Sequence, residues 1–107
     1  EERLLDAHLL SLGRRSALER AAYLIAFLYQ RAIAVGMPSE SLRIPLTQIL
    51  VADTLGLSIV HTNKTLRKLS MRGLIVWHGG ACEVRHIDGL MEVAGWSPNR
   101  SVKRPLI

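Results

Sequence analysis

The spacing of apolar residues predicts a helical protein whose helices begin and end at recognisable caps. A first apolar stripe, Leu4 to Leu12, is typical of a short amphipathic helix that needs a partner. Ser16 and Glu19 then form a capping box, and Gly36 with Pro38 ends the helix that this box starts. Because the second helix is apolar on nearly every side, we expect it to lie at the centre of the core.

Two shorter helices follow, and only a tight turn separates them. Thr47 is predicted to cap a helix that runs to Leu55, and Gly56 supplies a left-handed turn residue. Ser58 is predicted to cap the next helix, which ends near Gly73. Helices joined by so short a turn must cross steeply, so we interpret this region as a helix-turn-helix.

Two parts of the sequence favour strands. The run "LRIPL" contains Pro45, which restricts it to an edge or a terminal position in a sheet. Later, "LIVWHGGACEVRHI" holds two β-rich runs around Gly79 and Gly80, which predicts a hairpin. Asp88 is then predicted to cap a last short helix that Gly95 closes.

The stretch "GLSIVHTNKTLRKL", residues 56–69, has two unlike faces when it is drawn as a helix. One face carries apolar or small side chains: Leu66, Leu69, Thr62 and Thr65. The other face carries polar and basic side chains: Asn63, Lys64, Arg67 and Lys68. We therefore expect one face to pack in the core and the other to contact a partner.

Composition and charge narrow the class of that partner. With 107 residues, 49% of them hydrophobic, the chain fits one globular domain. Residues 1–40 carry as many acidic as basic side chains, so residues 41–107 supply the whole net charge of +5. A basic half favours a polyanion such as nucleic acid, and an ordinary solvated basic face is the alternative.

The sequence offers little that would support catalysis. Its four histidines, His8, His61, His78 and His86, lack the spacing of metal ligands. The sequence also has no nucleophile motif, carboxylate pair or glycine-rich phosphate loop. We therefore expect neither an enzyme nor a metal site.

The cellular compartment is inferred from cysteine content and hydropathy. The single cysteine, Cys82, cannot form an internal disulfide, which favours a reducing compartment. The sequence shows neither a membrane span nor a signal peptide, so we expect a cytoplasmic protein that does not contact a membrane. Since the chain starts at Glu1 rather than at methionine, we expect it to be part of a longer protein.

The order of helix, short strand, helix-turn-helix and hairpin is that of a winged helix. At "PLTQILVADTLGLSIVHTNKTLRKLSMRGLIVWHGG" the sequence resembles the DNA-binding domain of the cyclic-AMP receptor protein and FNR (CRP/FNR) family of bacterial transcription regulators. Its most specific parts are "TQILVADTLGLS", "NKTLRKL" and "RGLI", which occur in register. The resemblance implies a mainly α fold with a small β-hairpin wing, in which a three-helix core carries the wing.

The resemblance also implies a division of the chain into three parts. Residues 1–13 would be the end of a dimerisation helix, residues 14–95 the winged helix-turn-helix, and residues 96–107 a loosely ordered basic tail. In this family a β-roll sensor domain precedes the dimerisation helix. Its ligand would be a cyclic nucleotide or another effector. Within the 107 residues themselves we expect no cofactor.

The implied function is sequence-specific binding of double-stranded DNA by a homodimer at a near-palindromic operator, with RNA polymerase as a further candidate partner. Residues 58–72 would form the recognition helix in the major groove. The residues that would read bases are Ile59, Val60, Asn63 and Lys64. Those that would contact phosphates are Thr47, Ser58, His61, Arg67 and Lys68.

The sequence departs from the best-known pattern of the family at Ile59 and Val60, where an arginine and a glutamate are usual. The DNA sequence that this chain reads must therefore differ. Asn63 could pair with an adenine edge and Lys64 with guanine, while the two aliphatic side chains could touch thymine methyl groups.

Some of these residues have alternative interpretations. Ile59 and Val60 could pack against the first helix of the motif, and His61 could be a half-exposed surface histidine. Ile49 and Leu50 could cover a neighbouring helix or contact the sensor domain. Together with Ile59 and Val60 they could also form a patch through which a winged helix docks another protein without reading DNA.

Three further side chains are interpreted as structural. We expect Trp77 and Trp96 to wedge the wing onto the core rather than to stack on bases. Cys82 is interpreted as a small residue of the wing.

Overall fold

The computed structural model describes residues 16–38 and 42–96, in which four helices and three strands follow one another. The helices are α1 (Ala17–Ala34), α2 (Gln48–Leu55), α3 (Ile59–Met71) and α4 (Ile87–Ala94). The strands are β1 (Arg43–Pro45), β2 (Ile75–His78) and β3 (Ala81–Val84). The predicted helical core with a small wing is confirmed, whereas the predicted dimerisation helix in residues 1–13 and the tail after residue 96 lie outside the described residues.

Helix α1 lies at the centre of the core, as its all-round apolar pattern predicted. The Ser16 hydroxyl accepts a hydrogen bond from the Glu19 amide at 3.2 Å, and the Glu19 carboxylate accepts one from the Ser16 amide at 2.9 Å. Leu24 and Ile25 are buried, and the helix contacts α2, α3, α4 and β1. Gly36, at a φ of 95°, follows the helix and lets the chain turn away.

The three strands form one antiparallel sheet in the order β1-β3-β2, so the predicted hairpin gains an edge strand. Gly79 takes a φ of 58° in the two-residue turn between β2 and β3. Ile44 and Trp77 both lie opposite Cys82, and these three side chains share the face that packs on the core. Pro45 ends the edge strand β1, a position that tolerates its missing N–H donor.

Helix α4 begins earlier than predicted. Its N-cap is His86 rather than Asp88, because Nδ1 of His86 accepts a hydrogen bond from the Gly89 amide at 3.0 Å. The helix therefore starts at Ile87, which packs against the core, and Asp88 lies in the first turn near the positive end of the helix dipole. The prediction followed the preference of Asp for N-caps and overlooked an imidazole as the acceptor. Gly95 closes the helix at a φ of 75°, as expected.

The absence of a side chain at Gly89 lets α4 approach the segment before β2 closely. A Cβ at this position would lie 2.7 Å from Cδ2 of Leu74 and 3.1 Å from Nδ1 of His86. Leu74 is itself buried, so it has little room to move. The contact between α4 and Leu74 therefore depends on glycine.

We expect Gly89→Ala to lower the free energy of unfolding by about 1–3 kcal/mol, because the added methyl group overpacks the contact with Leu74. Urea unfolding followed by circular dichroism measures the change. Gly80→Ala is the matched control, since a Cβ there meets nothing within 4 Å and the backbone is not left-handed. Equal stability of the two variants would contradict the close approach.

Cys82 is fully buried in the middle strand of the sheet, in agreement with a structural role. Burial, with a smaller contribution from the Glu83 carboxylate, raises the pKa of the thiol to about 12. The native state therefore holds this proton more tightly than the unfolded chain does. The resulting stabilisation is complete below the ordinary pKa of 9.0 and is lost as the pH rises toward 12.

We expect the Cys82 thiol to resist an aromatic disulfide reagent at about pH 8 in the folded protein and to react fully in urea, because only the thiolate is nucleophilic. Above pH 9.0, the unfolding free energy of the wild type should fall more steeply than that of Cys82→Ala. Urea titrations at several pH values measure both slopes. Rapid labelling of the folded protein, or parallel slopes, would show that the thiol is not held in a buried, protonated state.

Candidate nucleic-acid interface

The helix-turn-helix is held at its turn by backbone conformation and by one arginine. Gly56 closes α2 at a φ of 70°, which glycine adopts without strain. The Leu57 amide donates to the Ala52 carbonyl at 2.9 Å and completes the cap. Arg20, on α1, donates from its guanidinium to the carbonyl of Leu55, the last residue of α2. The central helix thus holds the end of α2 where the chain turns toward α3.

Helix α3 has the two faces that the sequence predicted. The buried face consists of Thr62, Thr65, Leu66 and Leu69. The exposed side chains include Asn63, Lys64, Arg67 and Lys68. On the buried face, the Thr65 hydroxyl donates to the His61 carbonyl at 2.8 Å, so this polar group is satisfied within the helix.

An open depression of about 600 Å³ lies beside α3, and the Trp77 side chain of β2 forms part of its wall. The residues that matter for its chemistry are Gln48, Val60, Asn63, Lys64, Arg67 and Trp77. Val60, Asn63 and Lys64 are three of the four residues predicted to read bases, and the structure brings them together. Ile59, the fourth, is not among the lining residues, whereas Arg67, predicted as a phosphate contact, is.

Gln48 and Trp77 line this site although neither was predicted to do so. Gln48 directly follows the cap Thr47, so it opens the first turn of α2. Trp77 lies two residues from the buried Ile75, and strand alternation therefore puts both on the same face of β2. Alternation alone could have predicted that Trp77 shares the face of Ile75, but the contact between β2 and α3, which places Trp77 beside the helix, is seen only in the structure.

Two hydroxyl groups mark the starts of α2 and α3, as predicted. The Thr47 hydroxyl accepts a hydrogen bond from the Leu50 amide at 3.1 Å, and the Ser58 hydroxyl accepts one from the His61 amide at 3.0 Å. Both residues are exposed. Since each hydroxyl oxygen acts as the acceptor in its cap, its own hydrogen can donate to an oxygen outside the protein.

Five large apolar side chains stay exposed on α2 and α3: Ile49, Leu50, Ile59, Val60 and, at the end of α3, Met71. Ile49 and Leu50 are 63% and 49% exposed, so neither is covered by a described helix. Val60 is 66% exposed, which argues against the alternative that it packs against α2, whereas Ile59 is 42% exposed and has more than half of its surface covered. The part of α3 that follows its cap therefore presents aliphatic as well as polar groups.

The electrostatic environment of α3 suits an anion. No acidic residue occurs between Asp53 and Glu83, and within the described residues no carboxylate forms a salt bridge with Lys64 or Arg67. On the wing, the Glu83 carboxylate lies 2.7 Å from Nε2 of His78 and 3.8 Å from Nε of Arg85, so the cation of Arg85 partly offsets its negative charge. The positive charge of α3 is thus not balanced nearby.

Within residues 16–38 and 42–96, no three His, Cys, Asp or Glu side chains are placed to hold a metal ion. None of the helices described there is both long and apolar enough to cross a membrane. The polar groups of the residues that line the depression include the amides of Gln48 and Asn63, the cations of Lys64 and Arg67, the hydroxyl of Ser70 and the indole N–H of Trp77. These groups suit phosphate oxygens and base edges.

Comparison with known sequences identifies relatives of this chain. A family model described as the Crp-like helix-turn-helix domain matches residues 7–93. The nitrogen fixation regulation protein FixK of Bradyrhizobium diazoefficiens is 36% identical over 74 residues, which make up 68% of this chain and 31% of FixK. The chain thus spans about a third of the length of this relative.

Solved structures share the fold. A CRP-family transcriptional regulator from Thermus thermophilus matches with a TM-score of 0.69 at 19% identity, over 87% of this chain and 46% of that one. The catabolite activator protein of Thermus thermophilus matches with a TM-score of 0.54 at 25% identity, over 90% of this chain and 43% of that one. These relatives are named as regulators or as an activator, in agreement with the expectation of a non-enzymatic protein. Because the family model covers most of its length, the chain belongs to the family of Crp-like helix-turn-helix domains.

Proposed function

We propose that this chain is the DNA-binding domain of a bacterial transcription regulator and that α3 is its recognition helix in the major groove of a specific duplex. One observation carries the proposal. The exposed face of α3 gathers Val60, Asn63, Lys64 and Arg67 around one depression, with no acidic residue in the chain from 54 to 82. A helix with such a face matches the shape, the charge and the hydrogen-bonding groups of the major groove.

Base readout would come from the outward-facing side chains of α3 that line the depression. The Asn63 amide can both donate to and accept from an adenine edge, and the Lys64 ammonium can donate to guanine. Val60, 66% exposed, can contact a thymine methyl group. Arg67 lies with these residues, so it can reach either a base edge or a phosphate.

Phosphate contacts would flank this reading surface. The N-cap residues Thr47 and Ser58 offer hydroxyl groups near the positive ends of the dipoles of α2 and α3. His61 and Lys68 are seven residues apart, which places them on the same side of α3, and both are exposed. Contacts of this kind fix the position of the protein on the duplex without reading its sequence.

The assembly and its setting extend the proposal. A homodimer would present two recognition helices about 34 Å apart, which fits an operator with near-palindromic half-sites. The apolar stripe from Leu4 to Leu12 would supply part of the dimer contact, and RNA polymerase would be a further partner. An effector such as a cyclic nucleotide would bind a preceding sensor domain rather than these residues. Because bacterial DNA lies in the cytoplasm, a DNA partner implies that the protein is cytoplasmic.

The first test selects bound sequences from a random duplex pool at a stated salt concentration. We expect the wild type to select a defined motif, and Asn63→Ala and Lys64→Ala each to relax particular base pairs at a cost of about 1–3 kcal/mol. Lys68→Ala is the matched control. It should weaken all duplexes about equally and reduce the slope of affinity against salt by about 1, because it removes a phosphate contact only.

Sequence-blind binding that neither Asn63→Ala nor Lys64→Ala changes would contradict base readout by α3. If the exposed aliphatic groups docked another protein instead, the affinity would depend on salt differently from DNA affinity. Counterion release makes DNA affinity fall steeply with salt, whereas apolar docking does not.

A pair of substitutions at Ser58 separates capping from phosphate binding. Ser58→Ala removes the cap and should cost about 1 kcal/mol of stability. Ser58→Asp keeps a good cap and should preserve the melting temperature, but its carboxylate would face a phosphate and should lower DNA affinity about tenfold or more. Thermal unfolding and fluorescence anisotropy measure the two effects. Wild-type affinity of Ser58→Asp would show that no phosphate lies at this helix start.

A further inference from the structure

Trp77 lies in two environments at once. It occupies β2 directly opposite Cys82, on the face that packs against the core, and it is only partly buried. The side chain also lines the depression beside α3, together with Asn63, Lys64 and Arg67. Among the described residues nothing accepts a hydrogen bond from its indole N–H, and this nitrogen is not one of the buried atoms that lack a partner. The indole N–H therefore reaches solvent.

The groups around the indole fit a segment of DNA backbone. A helix in the major groove is flanked by the sugar-phosphate strands that form the walls of the groove. A side chain that stands beside the helix, as Trp77 does, meets that wall rather than the base edges. Lys64 and Arg67 supply positive charge next to it, and the indole supplies a flat apolar face with one hydrogen-bond donor.

We infer that Trp77 contacts the DNA backbone directly, packing against a deoxyribose and donating its indole N–H to a phosphate of the strand that borders α3. The inference rests on the proposed function and adds to it a contact from outside the helix-turn-helix. A backbone contact sets how the helix lies in the groove but carries no base preference. Trp77 therefore contributes affinity to specific and non-specific duplexes alike.

The second tryptophan of the chain supplies an internal control. Trp96 stacks on Tyr23, with ring centroids 4.9 Å apart and an angle of 21° between the planes. It is not among the residues that line the depression. Because the chain has 2 tryptophans, Trp96→Phe leaves Trp77 as the sole indole, and Trp77→Phe leaves Trp96.

The test measures acrylamide quenching of each tryptophan in the full chain, free and saturated with the selected duplex. Anisotropy of a labelled copy of the duplex reports binding independently. In Trp96→Phe, DNA should reduce the quenching of Trp77 severalfold, whereas in Trp77→Phe the quenching of Trp96 should not change. Binding with unchanged quenching of Trp77 would overturn the inference and leave the proposed function standing. Failure to bind any duplex would overturn the proposed function itself.

Affinity measurements identify the contacted group. Trp77→Phe keeps an aromatic ring on the core but removes the N–H donor, so Kd should rise about threefold to tenfold for every duplex, at a temperature where circular dichroism shows both proteins folded. Duplexes with single neutral methylphosphonate linkages locate the partner. The linkage that weakens wild-type binding but leaves Trp77→Phe unaffected marks the bonded phosphate. A change in preferred base pairs in Trp77→Phe would assign a base edge instead and overturn the backbone contact.

Discussion

The burial of α1 against the other described helices and β1 determines where the candidate interface lies. Leu24 and Ile25 are almost wholly removed from water, so the hydrophobic effect holds α1 to several neighbours at once. This burial has no preferred direction, and it alone would not set the angle between α2 and α3. Hydrogen bonds are directional, and the one from Arg20 to the Leu55 carbonyl helps to orient the end of α2 at the turn. The two helices that form the interface are therefore positioned by a third that lies behind them.

Features of the fold that depend on neighbouring residues in sequence were predictable. The caps at Ser16, Thr47 and Ser58 each involve a side chain and an amide three residues later, so they are visible in the sequence alone. The turn at Gly56 is equally local. The predicted start of α4 was wrong because its N-cap is a histidine, a residue type that N-cap preferences do not favour. The pairing of β1 with β3 joins residues that are far apart in sequence. Composition and periodicity do not specify such a pairing.

The candidate site shows the same limit. The separation of α3 into a buried and an exposed face follows from helical periodicity, and the structure confirms it. The sequence assigned Arg67 and Val60 to different roles, yet both line one depression. Trp77 joins them from a strand, and only the packing of the sheet against α3 reveals that proximity. A site made by two elements that are distant in sequence can be predicted one element at a time, but its assembled shape cannot.

The side chains of α3 that face outward take no part in holding the helix in place. The buried face with Leu66 and Leu69 packs in the core, while Val60, Asn63 and Lys64 are exposed. Substitutions at such exposed positions usually change the free energy of unfolding by less than about 0.5 kcal/mol. If α3 reads DNA as proposed, a gene duplicate would acquire a new set of target sites through a few changes on one helix while its thermal stability stays the same. On that proposal, a change of DNA target would be uncoupled from the marginal stability of the folded protein.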